Sequence, residues 1–156
     1  MMSEKWNKRF LDMAKLISTW SKDPSTIVGC VITDNLNRVI SIGYNGYPRG
    51  VKDTYNDDRN EKLRKTIHAE ENALLFAKQS LIGTTIYVTH PPCSRCAAKL
   101  IQAGVSTIIY LQPTNEFIKR WEDDIKSSLS MYKDVGMNVM AYIEDDINDM
   151  SSMVIN

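Results

Sequence analysis

Cys93 and Cys96 stand three residues apart behind Pro91-Pro92, and His68-Ala69-Glu70 lies upstream of them. A spacing of three puts both sulfurs on one face of a helix. The exposed amides and dipole at the start of that helix favour thiolate over thiol. Pro92 sets the chain direction there without needing a donor. Together with His68 these residues offer one nitrogen and two sulfur ligands, a set that suits zinc. Three protein ligands leave the fourth tetrahedral position open, which marks a catalytic rather than a structural zinc. No fourth cysteine closes the site, because the remaining one, Cys30, reads as a small buried strand residue. His90, three residues before Cys93, either closes the site or is a loop residue near the pocket mouth. Alone, the C-x-x-C pair also fits a redox couple or a structural metal.

Glu70 follows His68 by two residues, and on a regular helix such side chains do not share a face. The pair must therefore sit at an irregular first turn, or approach the metal from different angles. By itself Glu70 also fits a first-turn carboxylate that stabilises the helix dipole. Beside His68 and C-x-x-C it completes H-x-E…P-C-x-x-C, a pattern shared with zinc deaminases acting on nucleobases. The chemistry this implies is hydrolytic. Zinc lowers the pKa of water toward ~7. Glu70 carries a proton from that water to the ring nitrogen, then protonates the leaving amine. It must therefore stay off the metal.

The totals limit what surrounds this site. A chain of 156 residues, 43% hydrophobic, fits one domain over residues 1–156, with an acidic tail at 144–156. Three cysteines give no disulfide framework. No apolar run of about 18 residues is present, so no membrane span is expected. Met1 to Trp6 lacks an apolar signal core, so the expected location is cytoplasmic, or the host cytoplasm for a viral chain. Net charge is zero, which argues against a nucleic-acid partner. The charge is uneven, however. Residues 121–156 carry two Lys and eight acidic residues, a net of −6, and residues 1–120 hold the balancing +6. That basic excess suits an anionic small molecule such as a nucleotide.

The elements that must position the site follow from periodicity. Trp6, Phe10, Met13, Ile17 and Trp20 form one stripe of a helix over 4–20, capped by Ser3. Ile27–Thr33 and Arg38–Tyr44 read as a hairpin around the turn residues 34–37. Residues 45–65 read as a long polar loop, a length that is usually functional. A helix runs from His68 through Ala73, Leu74, Ala77 and Leu81 to a stop at Gly83. Strand Thr84–Thr89, helix Cys93–Ala103 and strand Ser106–Leu111 follow. A helix over 115–134 carries Phe117, Ile118, Trp121, Ile125 and Leu129 at helical spacing. Strand Met137–Ile143 comes last. Strand-helix alternation in the second half implies right-handed crossovers and parallel neighbours. The expected fold is a three-layer α/β/α arrangement: a mixed sheet of about five strands with helices on both faces.

Around these motifs the chain resembles the deoxycytidylate (dCMP) deaminase family. The resemblance runs through Ser21-Lys22-Asp23-Pro24-Ser25-Thr26-Ile27-Val28-Gly29-Cys30-Val31-Ile32, Gly43-Tyr44-Asn45-Gly46-Tyr47-Pro48-Arg49-Gly50, His68-Ala69-Glu70-Glu71-Asn72-Ala73 and Tyr87-Val88-Thr89-His90-Pro91-Pro92-Cys93. It implies a cytidine-deaminase-like fold and hydrolysis of dCMP to dUMP and ammonia on the route to thymidylate. It also implies a homo-oligomer, often a hexamer, activated by dCTP and inhibited by dTTP. The effector site would involve Gly43, Tyr44, Asn45 and Gly46. Asn45 would contact the nucleotide sugar, although Asn45-Gly46 also reads as a plain turn. Lys22, Ser25 and Thr26 are candidates near the substrate phosphate, or ordinary turn residues before a strand. The chain departs from the family after Leu111, where many members carry an aromatic residue near the pyrimidine. Phe117 or Trp121 could supply that contact, though their helical spacing favours the core. Competing functions are a related deaminase acting on dCTP, a nucleoside or a free base, and a non-catalytic zinc module at a partner interface.

Overall fold

The computed structural model describes residues 3–53 and 57–144. The first helix, α1 (Glu4–Ser18), starts where Ser3 Oγ accepts from the Trp6 amide at 3.3 Å. Strands β1 (Gly29–Thr33) and β2 (Val39–Tyr44) form the expected hairpin. Next come α2 (Arg59–Lys65), α3 (Ala69–Phe76), β3 (Thr85–Val88), α4 (Ser94–Ala103) and β4 (Thr107–Leu111). The described chain ends with α5 (Asn115–Arg120), α6 (Glu122–Val135) and β5 (Asn138–Tyr142).

The five strands form one sheet in the order β2-β1-β3-β4-β5. β1 runs antiparallel to both β2 and β3, whereas β3, β4 and β5 are parallel. The parallel pairs are joined by α4 and by α5–α6, as strand-helix alternation requires. Side chains alternate across the sheet. Val31, Tyr87 and Ile109 pack with Phe10, Leu11, Ala14 and Ile17 of α1. Cys30, Ile32, Ile86, Val88 and Ile108 pack on the other face with Ala69 and Ala73 of α3, Ala97 and Leu100 of α4, and Tyr132 of α6. The expected three layers are present.

Two glycines set how closely the helices approach this sheet. A Cβ on Gly29 would collide with the backbone of α1 at Ala14 and Ser18. One on Gly43 would collide with the backbone of α3 at Ala69 and Ala73. Backbone thus lies directly on backbone at both places, one on each sheet face.

Several sequence expectations are corrected. α1 ends at Ser18, so Trp20 leaves the core stripe and is 50% exposed, edge-on to Tyr44 at 6.0 Å. The 45–65 loop contains α2, capped by Asp58, whose carboxylate accepts from the Glu61 amide at 2.8 Å. Its sequence RNEKLRK has no apolar stripe and it buries no residue, so periodicity could not reveal it. α3 stops at Phe76, where Ala77 turns extended, and Leu81 reaches the core from a loop instead. The 115–134 helix breaks at Trp121 into α5 and α6. Trp121 and Leu129 are exposed, while Ser128 and Tyr132 are buried. Phe117, Ile118 and Ile125 are half-buried, so the apolar spacing only partly meets the core, and in α6 a more polar stripe turns inward. Glu144 bonds Lys15 on α1 at 2.5 Å. The rest of the expected acidic tail, residues 145–156, lies outside the described residues. Among those residues no helix is long and apolar enough to cross a membrane.

Candidate metal centre

His68 and Cys93 are the N-cap residues of α3 and α4, each in extended backbone. Two helix N-termini therefore meet at one point. His68 Nδ1 lies 3.5 Å from Cys93 Sγ and 3.4 Å from Cys96 Sγ. Tetrahedral zinc, with bonds of about 2.3 Å to sulfur and 2.0 Å to nitrogen, requires N···S separations of about 3.5 Å. The donor set and its spacing fit the ion. Among the described residues only these three form such a cluster. His90 does not join it. Its Nδ1 is 2.8 Å from Thr89 Oγ1, and its ring faces Phe117 at 6.2 Å. The site thus has three protein ligands.

Electrostatics in the metal-free chain leave one proton on the sulfur pair. Cys93 is the thiolate, lowered to about 4 first by its hydrogen bond with Cys96 and then by His68. Cys96 is raised by the same bond and by burial. The Cys93 thiolate also raises the pKa of His68. A cation bound here displaces these protons.

Glu70 resolves the spacing problem as required. His68 precedes the helix in extended backbone, and Glu70 lies inside the first turn. Glu70 is only 4% exposed. Burial pushes its carboxyl up to about 7, with a further push from the Cys93 charge. No carboxylate joins the metal cluster among the described residues, so Glu70 stands beside the ligands without being one of them.

Residues 4–112 match the family model of the cytidine and deoxycytidylate deaminase zinc-binding region. The chain belongs to this zinc-binding deaminase family. It is 52% identical over 139 residues to an uncharacterized deaminase in the luxG 3′ region of Aliivibrio fischeri, covering 88% of this chain and 94% of that protein. It is 38% identical over 146 residues to a probable deoxycytidylate deaminase of Caenorhabditis elegans, covering 89% and 74%. The crystal structure of dCMP deaminase from cyanophage S-TIM5 in apo form superposes with a TM-score of 0.71 at 26% identity, covering 90% of this chain and all of that one. Family membership makes the chain a hydrolytic deaminase with a zinc cofactor, and His68, Cys93 and Cys96 are placed to hold the ion.

Other positions take roles that the sequence did not show. Glu71 accepts from the His68 amide at 3.2 Å and from Lys99 Nζ of α4 at 2.5 Å. It ties the two ligand-bearing helices together. Its signal was legible as the carboxylate three residues after an N-cap. Cys30 is fully buried in β1, and burial raises its thiol pKa well above the ordinary value, as expected of an inert packing residue. Lys22, Ser25 and Thr26, the candidates for the substrate phosphate, lie on the segment between α1 and β1. The amides of Ser25 and Thr26 both donate to the Asp23 carboxylate, at 2.8 and 3.1 Å, and Asp23 pairs with Lys62 at 2.6 Å. Lys22 is exposed, 3.7 Å from Asp53.

Asn45 is buried, and its amide stitches two segments together. Oδ1 accepts from the Val28 amide at 2.8 Å, and Nδ2 donates to the Thr26 carbonyl at 2.9 Å. Replacing it with alanine strands both backbone groups. Asn45→Ala is expected to lower unfolding stability by about 2 kcal/mol in urea denaturation. Unchanged stability would mean that neither bond contributes.

Proposed function

We propose that this protein hydrolyses dCMP to dUMP and ammonia. The observation that carries the reading is the buried carboxylate of Glu70 beside a three-ligand zinc cluster at two converging helix N-termini. The deoxycytidylate names of relatives such as that of C. elegans direct it to this substrate.

Zinc held by His68, Cys93 and Cys96 would bring the pKa of water near neutrality. The remaining steps belong to Glu70. Its carboxylate accepts a proton from the attacking water and passes it to ring nitrogen N3, which makes C4 electrophilic. Water oxygen bonds to C4. Glu70 then takes the remaining proton from that oxygen and transfers it to the amino group; the C4–N bond breaks as the C4=O bond forms, and ammonia leaves. Burial pushes this carboxyl up in the metal-free chain, the direction that suits a group that must both take and give a proton. Asn45 retains a second amide N–H for the sugar. Phe117, beside His90, supplies an aromatic wall toward the pyrimidine. Lys22, Ser25 and Thr26 are the candidates for the substrate phosphate, through the Lys22 ammonium and the two hydroxyls, because the Ser25 and Thr26 amides donate to Asp23.

The effector proposal places dCTP activation and dTTP inhibition at residues 43–46, in a cytoplasmic homo-oligomer such as a hexamer. Two contacts support a link to the metal from there. Gly43 lies against Ala69, and Gly46 exchanges backbone hydrogen bonds with Ile67 at 3.1 and 2.8 Å, one residue before His68.

Ammonia release from dCMP, dCTP, deoxycytidine and cytosine, each with and without the other nucleotides as effectors, tests the reading. Turnover of dCMP above the rest is the expected result. Preference for another substrate would overturn the dCMP assignment, and no turnover by zinc-loaded protein would overturn the enzymatic one.

A further inference from the structure

The helix that carries the two cysteine ligands has an unusual start. An N-cap side chain normally accepts a hydrogen bond from one of the first helical amides. The N-cap of α4 is Cys93, whose sulfur faces His68 at 3.5 Å and makes no cap bond. The first turn of α4 also has no acidic residue to answer the dipole. The missing cap comes from another helix. Asp124 of α6 accepts from the Ser94 amide at 2.9 Å through Oδ2 and from Ser94 Oγ at 2.6 Å through Oδ1. Ser94 lies directly after Cys93, between the two ligands.

Asp124 is itself held in register. It begins a stripe at i, i+4 and i+8 with Ser128 and Tyr132, both buried. Ser128 Oγ donates to the Asp124 carbonyl at 3.3 Å. Tyr132 sits in the same core cluster as Ala97 and Leu100 of α4. This explains the inverted burial of α6: the side chain required at the α4 N-terminus must point inward. Asp124 and its stripe on α6 lie beyond the family match, which ends at residue 112.

We infer that Asp124 is a positioning residue for the metal centre, capping α4 from α6 because the local cap residue is committed to the metal. The inference rests on the assignment of zinc to His68, Cys93 and Cys96. Two bonds to Ser94 fix the peptide that joins Cys93 to the helix, and with it the directions of both sulfurs. Groups that orient ligands in this way commonly cost 10–100-fold in metal affinity when removed.

Zinc dissociation constants from chelator competition test this, alongside visible spectra of the cobalt-loaded proteins. Asp124→Ala is expected to bind zinc roughly 10–100-fold more weakly and to shift the cobalt spectrum. Asp124→Asn keeps one acceptor and should recover part of the affinity. Asp123→Ala removes the same charge from an exposed neighbour and should match wild type. Should the alanine variant fail to fold, Asp124→Asn and Ser94→Ala carry the same comparison. A lower thermal midpoint with wild-type zinc affinity and spectrum would make Asp124 a helix tether only, overturning the inference while the zinc assignment stands. Wild-type protein that binds no zinc overturns both.

Discussion

Glu70→Gln is expected to keep a full complement of zinc and to deaminate about 10³-fold more slowly. Glutamine preserves the volume of the side chain but can neither accept the water proton nor return it. All three ligands remain, so metal content by elemental analysis should equal wild type. Loss of zinc in this variant would make Glu70 a ligand and remove it from the proton path. The same substitution has a second, opposite effect on the metal-free fold. The Glu70 carboxyl is raised from 4.5 to about 7 by burial. A raised folded-state pKa gives stability that is present below pH 4.5 and lost as pH rises through 7. Metal-free wild type should therefore lose about 3 kcal/mol relative to Glu70→Gln between pH 4 and pH 8. Parallel curves for the two proteins across that range would show that the carboxylate is not forced into an apolar setting.

Gly43→Ala is expected to be, with Gly29→Ala, among the most damaging single methyls in the described residues. A Cβ there would stand deep inside the contact radius of the Ala69 carbonyl and 2.7 Å from the Ala73 amide nitrogen. Neither neighbour is a flexible side chain, so β2 and α3 must separate. Overpacking of this kind costs about 3 kcal/mol or more. Ala69 follows His68, so the displacement reaches the metal and zinc affinity should fall with stability. Gly46→Ala is the control, because no atom lies within 4 Å of a Cβ at that position. Urea denaturation and zinc titration of both variants decide it. Equal behaviour of the two would mean that the close approach of β2 and α3 is not a constraint.

The parts of the molecule legible in the sequence are those governed by near neighbours. His68, Cys93 and Cys96 announce themselves by residue type and spacing, and the odd His68–Glu70 interval is met by the extended N-cap that is found. The order of strands and helices gave the mixed sheet, because short β-branched runs such as Gly29–Thr33 and Thr85–Val88, buried along their whole length, stand out between helical segments. What was hidden depends on partners far along the chain. α2 has no core-facing stripe and is held by ion pairs such as Lys62–Asp23. Leu129 has the spacing of a core residue yet is 48% exposed, because α6 turns Asp124 toward Ser94 instead. Asn45 reads as a turn residue, and only the fold reveals that its amide serves Thr26 and Val28. Ser25 and Thr26 read as turn residues before a strand, and only the fold reveals Asp23 as the acceptor of both their amides.

His68 and Cys93 are 25 residues apart in the chain, and α3 and β3 lie between them. An ion that grips both ends ties this stretch into a ring. A covalent tie across such a span removes about 3 to 4 kcal/mol of unfolded-chain entropy. A labile ion does the same reversibly, in proportion to its availability. Loading and folding are then one equilibrium in this protein, and acid that returns protons to the sulfurs and the imidazole opens the ring as it expels the ion.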